Sequence, residues 1–271
     1  CEPLHVQYSY NDSAIYVVNS YYQSYNNLNV TAKVYNLDMT QKYSNTATIS
    51  VGPDSSNRVF TIPSLTGLTT TYFLNLKLED SSGNLISSNF YWLSTQADVL
   101  WYNRSTWFGT PQRFYADFTA LGTLPPVALN VQYQIEYKGA DIVAHVTIEN
   151  PTDDLAFFIH LKVTRDPHGE DVLPIFWNDN YFSLLPGENK EVHATFAAKD
   201  LNGTIPALEV GGWNIISDIK ILGDIDDDGD VDVSDLSDLS DAYGSDTLEP
   251  NCNFYIDDKI DVLDLFLLGK N

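Results

Sequence analysis

The chain has 271 residues, 44% of them hydrophobic and 13% aromatic, and a formal net charge of −23. That apolar content is ample for ordinary cores and excludes a disordered chain, while the length allows two or three domains. Only 14 Lys and Arg stand against 37 acids, which disfavours nucleic acid as a partner, because phosphate binding needs clustered basic side chains.

The charge is lopsided: residues 222–271 hold fifteen acids and two lysines, so that segment alone supplies −13 of it. No apolar run approaches the roughly 20 residues needed to span a bilayer, so no membrane span is expected. No signal peptide opens the chain, which predicts either a mature product or a piece of something larger. The two cysteines, Cys1 and Cys252, cannot form a disulfide scaffold. A single bridge between them is conceivable, but it would have to join the two ends of a multidomain chain, so unpaired thiols are expected.

From the N-terminus, short runs with period-two alternation predict strands at Leu4–Tyr10, Ala14–Asn19, Leu28–Tyr35, Ala47–Val51, Val59–Ile62, Tyr72–Glu79 and Leu85–Leu93. Gly, Pro, Asn and Ser clusters separate them, and such spacing predicts an antiparallel sandwich over residues 1–98. Residues 99–122 crowd Trp101, Tyr102, Trp107, Phe108, Phe114, Tyr115 and Phe118 around Pro111. They read as an aromatic-rich linker whose large rings bury area in a segment too short for its own core. The strand pattern resumes at Asn130–Tyr137, Ile142–Asn150, Phe157–Arg165, Tyr181–Leu184, Glu191–Phe196, Ala207–Val210 and Trp213–Ile219, predicting a second sandwich over 123–221. Neither sandwich contains a glycine-rich phosphate loop, a nucleophile elbow or zinc-spaced Cys and His. His145 and His160, both on predicted strands, read as satisfied strand residues rather than a metal or catalytic pair, since neither has a third partner in view.

The final segment, 222–271, carries chemistry. In Gly223-Asp-Ile-Asp-Asp-Asp-Gly-Asp-Val-Asp-Val-Ser-Asp235 acids alternate around one glycine in the pattern of a twelve-residue calcium loop. Such a loop offers oxygen at its first, third, fifth, seventh, ninth and twelfth places and turns sharply at a glycine in the sixth. Asp224, Asp226, Asp228, Asp232 and Asp235 fill the side-chain places, the Asp230 carbonyl the seventh, and Gly229 the turn. A second, degraded copy has Asn253, Asp257, the Lys259 carbonyl, Asp261 and Asp264, with Tyr255 and Asp258 in place of a ligand and the turn glycine. One Ca²⁺ is expected at the first loop and a weaker site at the second. Val231 and Ile260 are expected to plug the pair of loops from within.

Two such loops with Asp at the twelfth place, each followed by a Leu-rich helix start, resemble a dockerin. That resemblance implies a calcium-dependent docking module with a cohesin-like or neighbouring-subunit partner. Its partner-facing surface would be the helix after the first loop, with Leu236 and Leu239 turned to a small core and Ser237, Asp238 and Asp241 outward. The outward residues also read as an ordinary solvated acidic face.

Further upstream, Glu2-Pro-Leu-His-Val-Gln-Tyr-Ser-Tyr10, Tyr91-Trp-Leu-Ser-Thr95, Thr110-Pro-Gln112, Phe176-Trp-Asn-Asp-Asn180, Leu185-Pro-Gly-Glu188 and Gly211-Gly-Trp-Asn214 resemble, in order, the C-terminal region of exo-β-D-glucosaminidases of glycoside hydrolase family 2. A β-mannosidase is the nearest competing parent. The resemblance implies a mainly β chain: two immunoglobulin-like sandwiches, then the small α dockerin or EF-hand-like domain. It places Cys1 mid-chain in a larger enzyme, which disfavours a lipid-modified N-terminus, and it implies an upstream catalytic barrel. The family's chemistry uses a pair of glutamates about 5 Å apart on that barrel. This chain has nine scattered glutamates, no Asn-Glu dipeptide and no strand–helix alternation, so no catalytic residue is expected in it.

An extracellular, secreted or surface-associated location follows from the resemblance, and Asn11, Asn29, Asn103 and Asn202 then lie in triplets that can carry glycans. The leading expectation is a non-catalytic accessory and docking region. The alternatives are a structural subunit of an extracellular filament or surface assembly, and part of an active exo-β-glucosaminidase if a barrel lies upstream.

Overall fold

Alternation of Val, Ile and Leu with polar residues makes strands such as Ala14–Asn19 and Tyr25–Asn36 one-sided, and the strands pair so that the apolar sides form the core. The structure, a computed structural model, describes residues 2–229, 231–243 and 260. The chain divides into two units, Cys1–Leu124 and Pro125–Asn271.

In the first unit the strands are β1 (Leu4–Ser9), β2 (Ala14–Asn19), β3 (Tyr25–Asn36), β4 (Gln41–Val51), β5 (Ser55–Thr61), β6 (Thr71–Glu79) and β7 (Leu85–Ser94). They form a three-stranded sheet in the order β1-β2-β5 and a four-stranded sheet in the order β4-β3-β6-β7, all antiparallel. Val6, Ile15 and Val17 from the first sheet meet Val30, Ala32, Leu74, Leu76 and Leu78 from the second in one buried core. The edge strands β1 and β7 are tied by side chains: Asn89 Nδ2 donates to the Val6 carbonyl at 2.7 Å, and the Tyr8 N–H donates to the Tyr91 hydroxyl at 3.1 Å. These bonds occupy backbone groups that an open edge would leave for aggregation.

The segment after β7 departs from the expectation for 99–122. It forms a small hairpin of β8 (Val99–Leu100) and β9 (Gln112–Phe114) and two 3₁₀ turns, Tyr102–Arg104 and Thr119–Thr123. Most of its rings are exposed rather than buried: Trp107 is 94% and Phe108 95% accessible. The hairpin carries them on a projecting tip, and the Arg104 and Arg113 guanidinium groups lie over the Trp101 ring at 4.4 and 5.9 Å.

The second unit contains β10 (Asn130–Lys138), β11 (Asp141–Glu149), β12 (Ala156–Arg165), β13 (Ile175–Trp177), β14 (Phe182–Leu184), β15 (Asn189–Ala197), β16 (Pro206–Gly211), β17 (Asp218–Ile221) and a helix, α1 (Val233–Ala242). Its sheets run β10-β11-β15-β13 and β14-β12-β16-β17, and Ile135, Ile142, Ile148, Ile159, Leu208 and Phe196 fill the core between them. The pair Gly211-Gly212 is required by close approach. A Cβ on Gly211 would lie 2.7 Å from the His160 ring, and one on Gly212 would lie 2.4 Å from Ile215. His160 is thereby packed into the sheet and stacks on Tyr181 at 6.0 Å, and its burial lowers the imidazole pKa. His145 lies opposite His193 on β15 rather than near His160, so the two strand histidines do not form a pair.

Among the described residues there is one α-helix, and none long and apolar enough to cross a membrane. A full two-helix docking module is therefore not seen in the described part of 222–271.

Candidate metal centre

Strand β17 ends at Ile221, and Gly223, at φ +100°, turns the chain into the acidic loop. The left-handed backbone at Asp227 (φ +63°) and Gly229 (φ +100°) then curls residues 224–229 back on themselves. Four backbone bonds stitch this curl. The Asp228 N–H donates to Asp224 Oδ1 at 3.2 Å and to Asp226 Oδ1 at 3.3 Å, the Gly229 N–H donates to Asp224 Oδ2 at 3.1 Å, and the Asp224 N–H donates to the Ile221 carbonyl at 3.3 Å.

The other wall is the start of α1. Asp232 is its N-cap, accepting the Ser234 N–H at 2.6 Å, and Asp235 completes a capping box by accepting the Asp232 N–H at 2.7 Å. The remaining oxygen of Asp235 accepts the Ile225 N–H at 2.5 Å. Although it is a carboxylate, Asp235 is only 1% accessible. Helix and loop are thus clamped together through one buried acid.

The outcome is a trio, Asp224, Asp226 and Asp235, whose ligand oxygens all lie within 4.8 Å of one another. Of the residues expected to ligate in the first loop, Asp228 and Asp232 are outside this trio, and Asp230 lies outside the described residues. So do Asn253, Asp257, Lys259, Asp261 and Asp264 of the second loop, and Cys1 and Cys252.

The electrostatics suit a cation. Desolvation raises the Asp224 carboxyl above its ordinary value; N–H groups of Gly229 and Asp227 work against this, and the Asp227 and Asp235 charges add to it. Asp226 is also raised, by desolvation and then by Asp228. Three oxygen-only carboxylate donors fit a hard divalent ion such as Ca²⁺, which takes carboxylate and carbonyl ligands, and not a soft metal. On the flank, Lys220 bonds Asp218 at 3.1 Å and Asp227 at 2.5 Å. Burial pulls its ammonium down, but the two carboxylates outweigh that and leave its pKa raised. Sequence reasoning missed this lysine, whose only signal was its place four residues before Asp224, the first residue of the loop.

Two features of the helix were expected and one differs. Ser237, Asp238 and Asp241 are exposed and Leu239 is buried, but Leu236 is 44% accessible, because the inward stripe is Asp235, Leu239 and Ala242. Ile260 is 2% accessible and belongs to the same buried cluster as Leu239 and Ala242, against which Ile225 and Val231 pack. Of the four Asn-X-Ser/Thr sites, Asn11, Asn103 and Asn202 are exposed, whereas Asn29 is half-buried and accepts a hydrogen bond from Thr48 Oγ1.

The segments that carry the family resemblance are turn and edge clamps rather than reactive groups. Asn214 accepts the Phe157 N–H and donates to the Pro125 and Leu155 carbonyls; Asn180 exchanges two bonds of 3.0 Å with the Leu161 backbone; Glu188 accepts the Leu185 N–H.

This fold and these clamps define a class: immunoglobulin-like antiparallel sandwiches. Residues 11–96 match the mannosidase Ig/CBM-like domain, and residues 107–215 match the exo-β-D-glucosaminidase Ig-fold domain. The exo-β-D-glucosaminidase of Amycolatopsis orientalis is 41% identical over 219 residues, 79% of this chain and 21% of that protein. That of Hypocrea jecorina is 31% identical over 227 residues, 81% of this chain and 23% of that protein. The crystal structure of the Amycolatopsis orientalis exo-chitosanase CsxA superposes with a TM-score of 0.78 at 39% identity, covering 81% of this chain and 26% of that one. The two sandwiches are therefore Ig-like domains of the kind carried by glycoside hydrolase family 2 exo-β-D-glucosaminidases. The chain spans about a fifth to a quarter of the length of these relatives.

Proposed function

We propose that this chain is the non-catalytic accessory and docking region of an extracellular exo-β-D-glucosaminidase-like glycoside hydrolase, joined to a calcium-dependent attachment segment. The observation that carries the reading is the likeness to exo-β-D-glucosaminidases across both sandwiches, in a chain that spans only about a fifth of such a protein. Among the described residues, the trio of carboxylates drawn together is Asp224 and Asp226 of the loop with Asp235 of α1. In this reading the domains are 1–98, 99–122, 123–221 and 222–271. The catalytic barrel belongs to another stretch of the polypeptide, and the sandwiches brace it.

The attachment segment takes one Ca²⁺ on Asp224, Asp226 and Asp235, with Asp228, Asp232 and the Asp230 carbonyl completing the oxygen set. The ion supplies charge balance and a fixed loop. The exposed acidic face of α1, Ser237, Asp238 and Asp241, then meets a cohesin-like protein or a neighbouring subunit. Calcium titration of the full chain with limited proteolysis tests this. Chelation is expected to expose 222–271 to cleavage while the sandwiches stay protected, because metal binding and folding of such a loop are coupled. Unchanged protection with and without calcium, or unchanged calcium affinity in Asp224→Ala, would remove the attachment reading.

A further inference from the structure

One end of the first sandwich opens into a cleft of about 860 Å³ whose walls include Tyr8, Tyr10, Tyr72, Tyr91 and Trp92, with Asp98 beside them. Tyr8, Tyr10 and Tyr91 pack edge to face, with centroids 5.2, 5.8 and 6.2 Å apart, so each ring buttresses the other two. Tyr8, Tyr72 and Tyr91 pack in part against the core, whereas Tyr10 is 71% and Trp92 38% accessible. Among the described residues, no lysine, arginine or histidine lines the cleft, and Asp98 is its one charged group. Asp98 Oδ1 accepts Gln112 Nε2 at 2.6 Å and the Ala116 N–H at 2.8 Å, which fixes the carboxylate and leaves Oδ2 for a further donor.

We propose that this cleft binds oligosaccharides of amino sugars through their protonated amines. The choice of a sugar rests on the carbohydrate-enzyme reading above; the choice of a cationic one rests on the cleft itself. The apolar face of a pyranose ring stacks on an aromatic plane. An ammonium is drawn both to the negative faces of Tyr and Trp and to a carboxylate. An acidic sugar would find no counter-charge among the described residues that line the cleft, whereas an ammonium would meet Asp98. The volume is that of an ordinary ligand cleft and exceeds a single small ring. The sequence signals were the paired aromatics Tyr8 and Tyr10 and the run Phe90-Tyr91-Trp92, which period-two reading assigned to strand faces.

The test is calorimetric titration of the full chain with a glucosamine tetramer and with its fully N-acetylated counterpart. The amino form is expected to bind about tenfold or more tightly than the acetylated form, and Tyr10→Ala to weaken it by about tenfold, the scale of one lost aromatic contact. Asp98→Asn keeps the Oδ1 acceptor and so the local fold, and is expected to erase the preference for the amino form. Tyr10 is mostly exposed, so its variant folds even if Trp92→Ala does not, and circular dichroism checks this. Absence of binding by either tetramer, equal binding of both, or an unchanged affinity in Tyr10→Ala would overturn the proposal. Any of these results would leave the accessory reading standing, because calcium protection and glycoside hydrolysis are measured separately.

Discussion

Buried asparagines hold the loops of both sandwiches. Asn150, with no accessible surface, donates to the Asp154 and Leu184 carbonyls and accepts both the N–H and the hydroxyl of Thr152. In the first unit Asn19 does the equivalent for Gln23, Gly52 and Tyr21. Replacing Asn150 with Ala leaves the buried Leu184 carbonyl and the part-buried Asp154 carbonyl and Thr152 N–H without that partner, at about 1–3 kcal/mol for an orphaned buried group. Asn150→Ala is therefore expected to lower the denaturant midpoint of the second unit by an amount equivalent to about 2–4 kcal/mol, read by near-ultraviolet circular dichroism. A midpoint within error of the parent would show that the clamp is not structural. Such residues were invisible as clamps in the sequence, where asparagine next to a strand reads as a turn breaker; their partners lie up to 89 positions away, beyond any local pattern.

Period-two alternation located the seven strands β1–β7 of the first sandwich, because strands such as β2 and β3 bury alternate residues. It did less well where that contrast fails. Strand β13 (Ile175–Trp177) is three residues long at a sheet edge, too short to show a period, and β17 begins at Asp218 rather than Trp213, since Trp213 sits in a turn with Asn214. The aromatic segment misled for a related reason: ring size predicts burial only where a second layer exists, and the β8–β9 hairpin has open solvent over its tip. Trp107→Ala is accordingly expected to change stability by less than about 0.5 kcal/mol in thermal unfolding, and a larger loss would mean the ring is packed after all. On α1 the same logic separates two leucines. Leu239→Ala removes a side chain that is 1% accessible and is expected to cost the helix segment about 2–4 kcal/mol, whereas Leu236→Ala is nearly neutral. Hydrogen exchange of the α1 amides distinguishes the two, and equal protection in both variants would place the inward stripe elsewhere.

For the whole molecule, the turn at Gly229 and the helix N-cap at Asp232 were legible in the acidic loop, because their signal is local: alternating aspartates around one glycine, followed by a helix start. What the sequence did not carry is which acids converge. Asp232 and Asp235 are drawn into the capping box of α1, and that choice depends on the loop's approach to the helix rather than on spacing alone. The division of labour proposed between sandwiches and enzyme core rests on the likeness of both sandwiches to part of an exo-β-D-glucosaminidase, and it is the claim most open to direct contradiction. The measurement is hydrolysis of chromogenic β-glucosaminide and β-mannoside by the purified full chain, alongside variants of its glutamates. The account predicts release indistinguishable from buffer; turnover that survives purification and disappears when one of those glutamates is changed would contradict it.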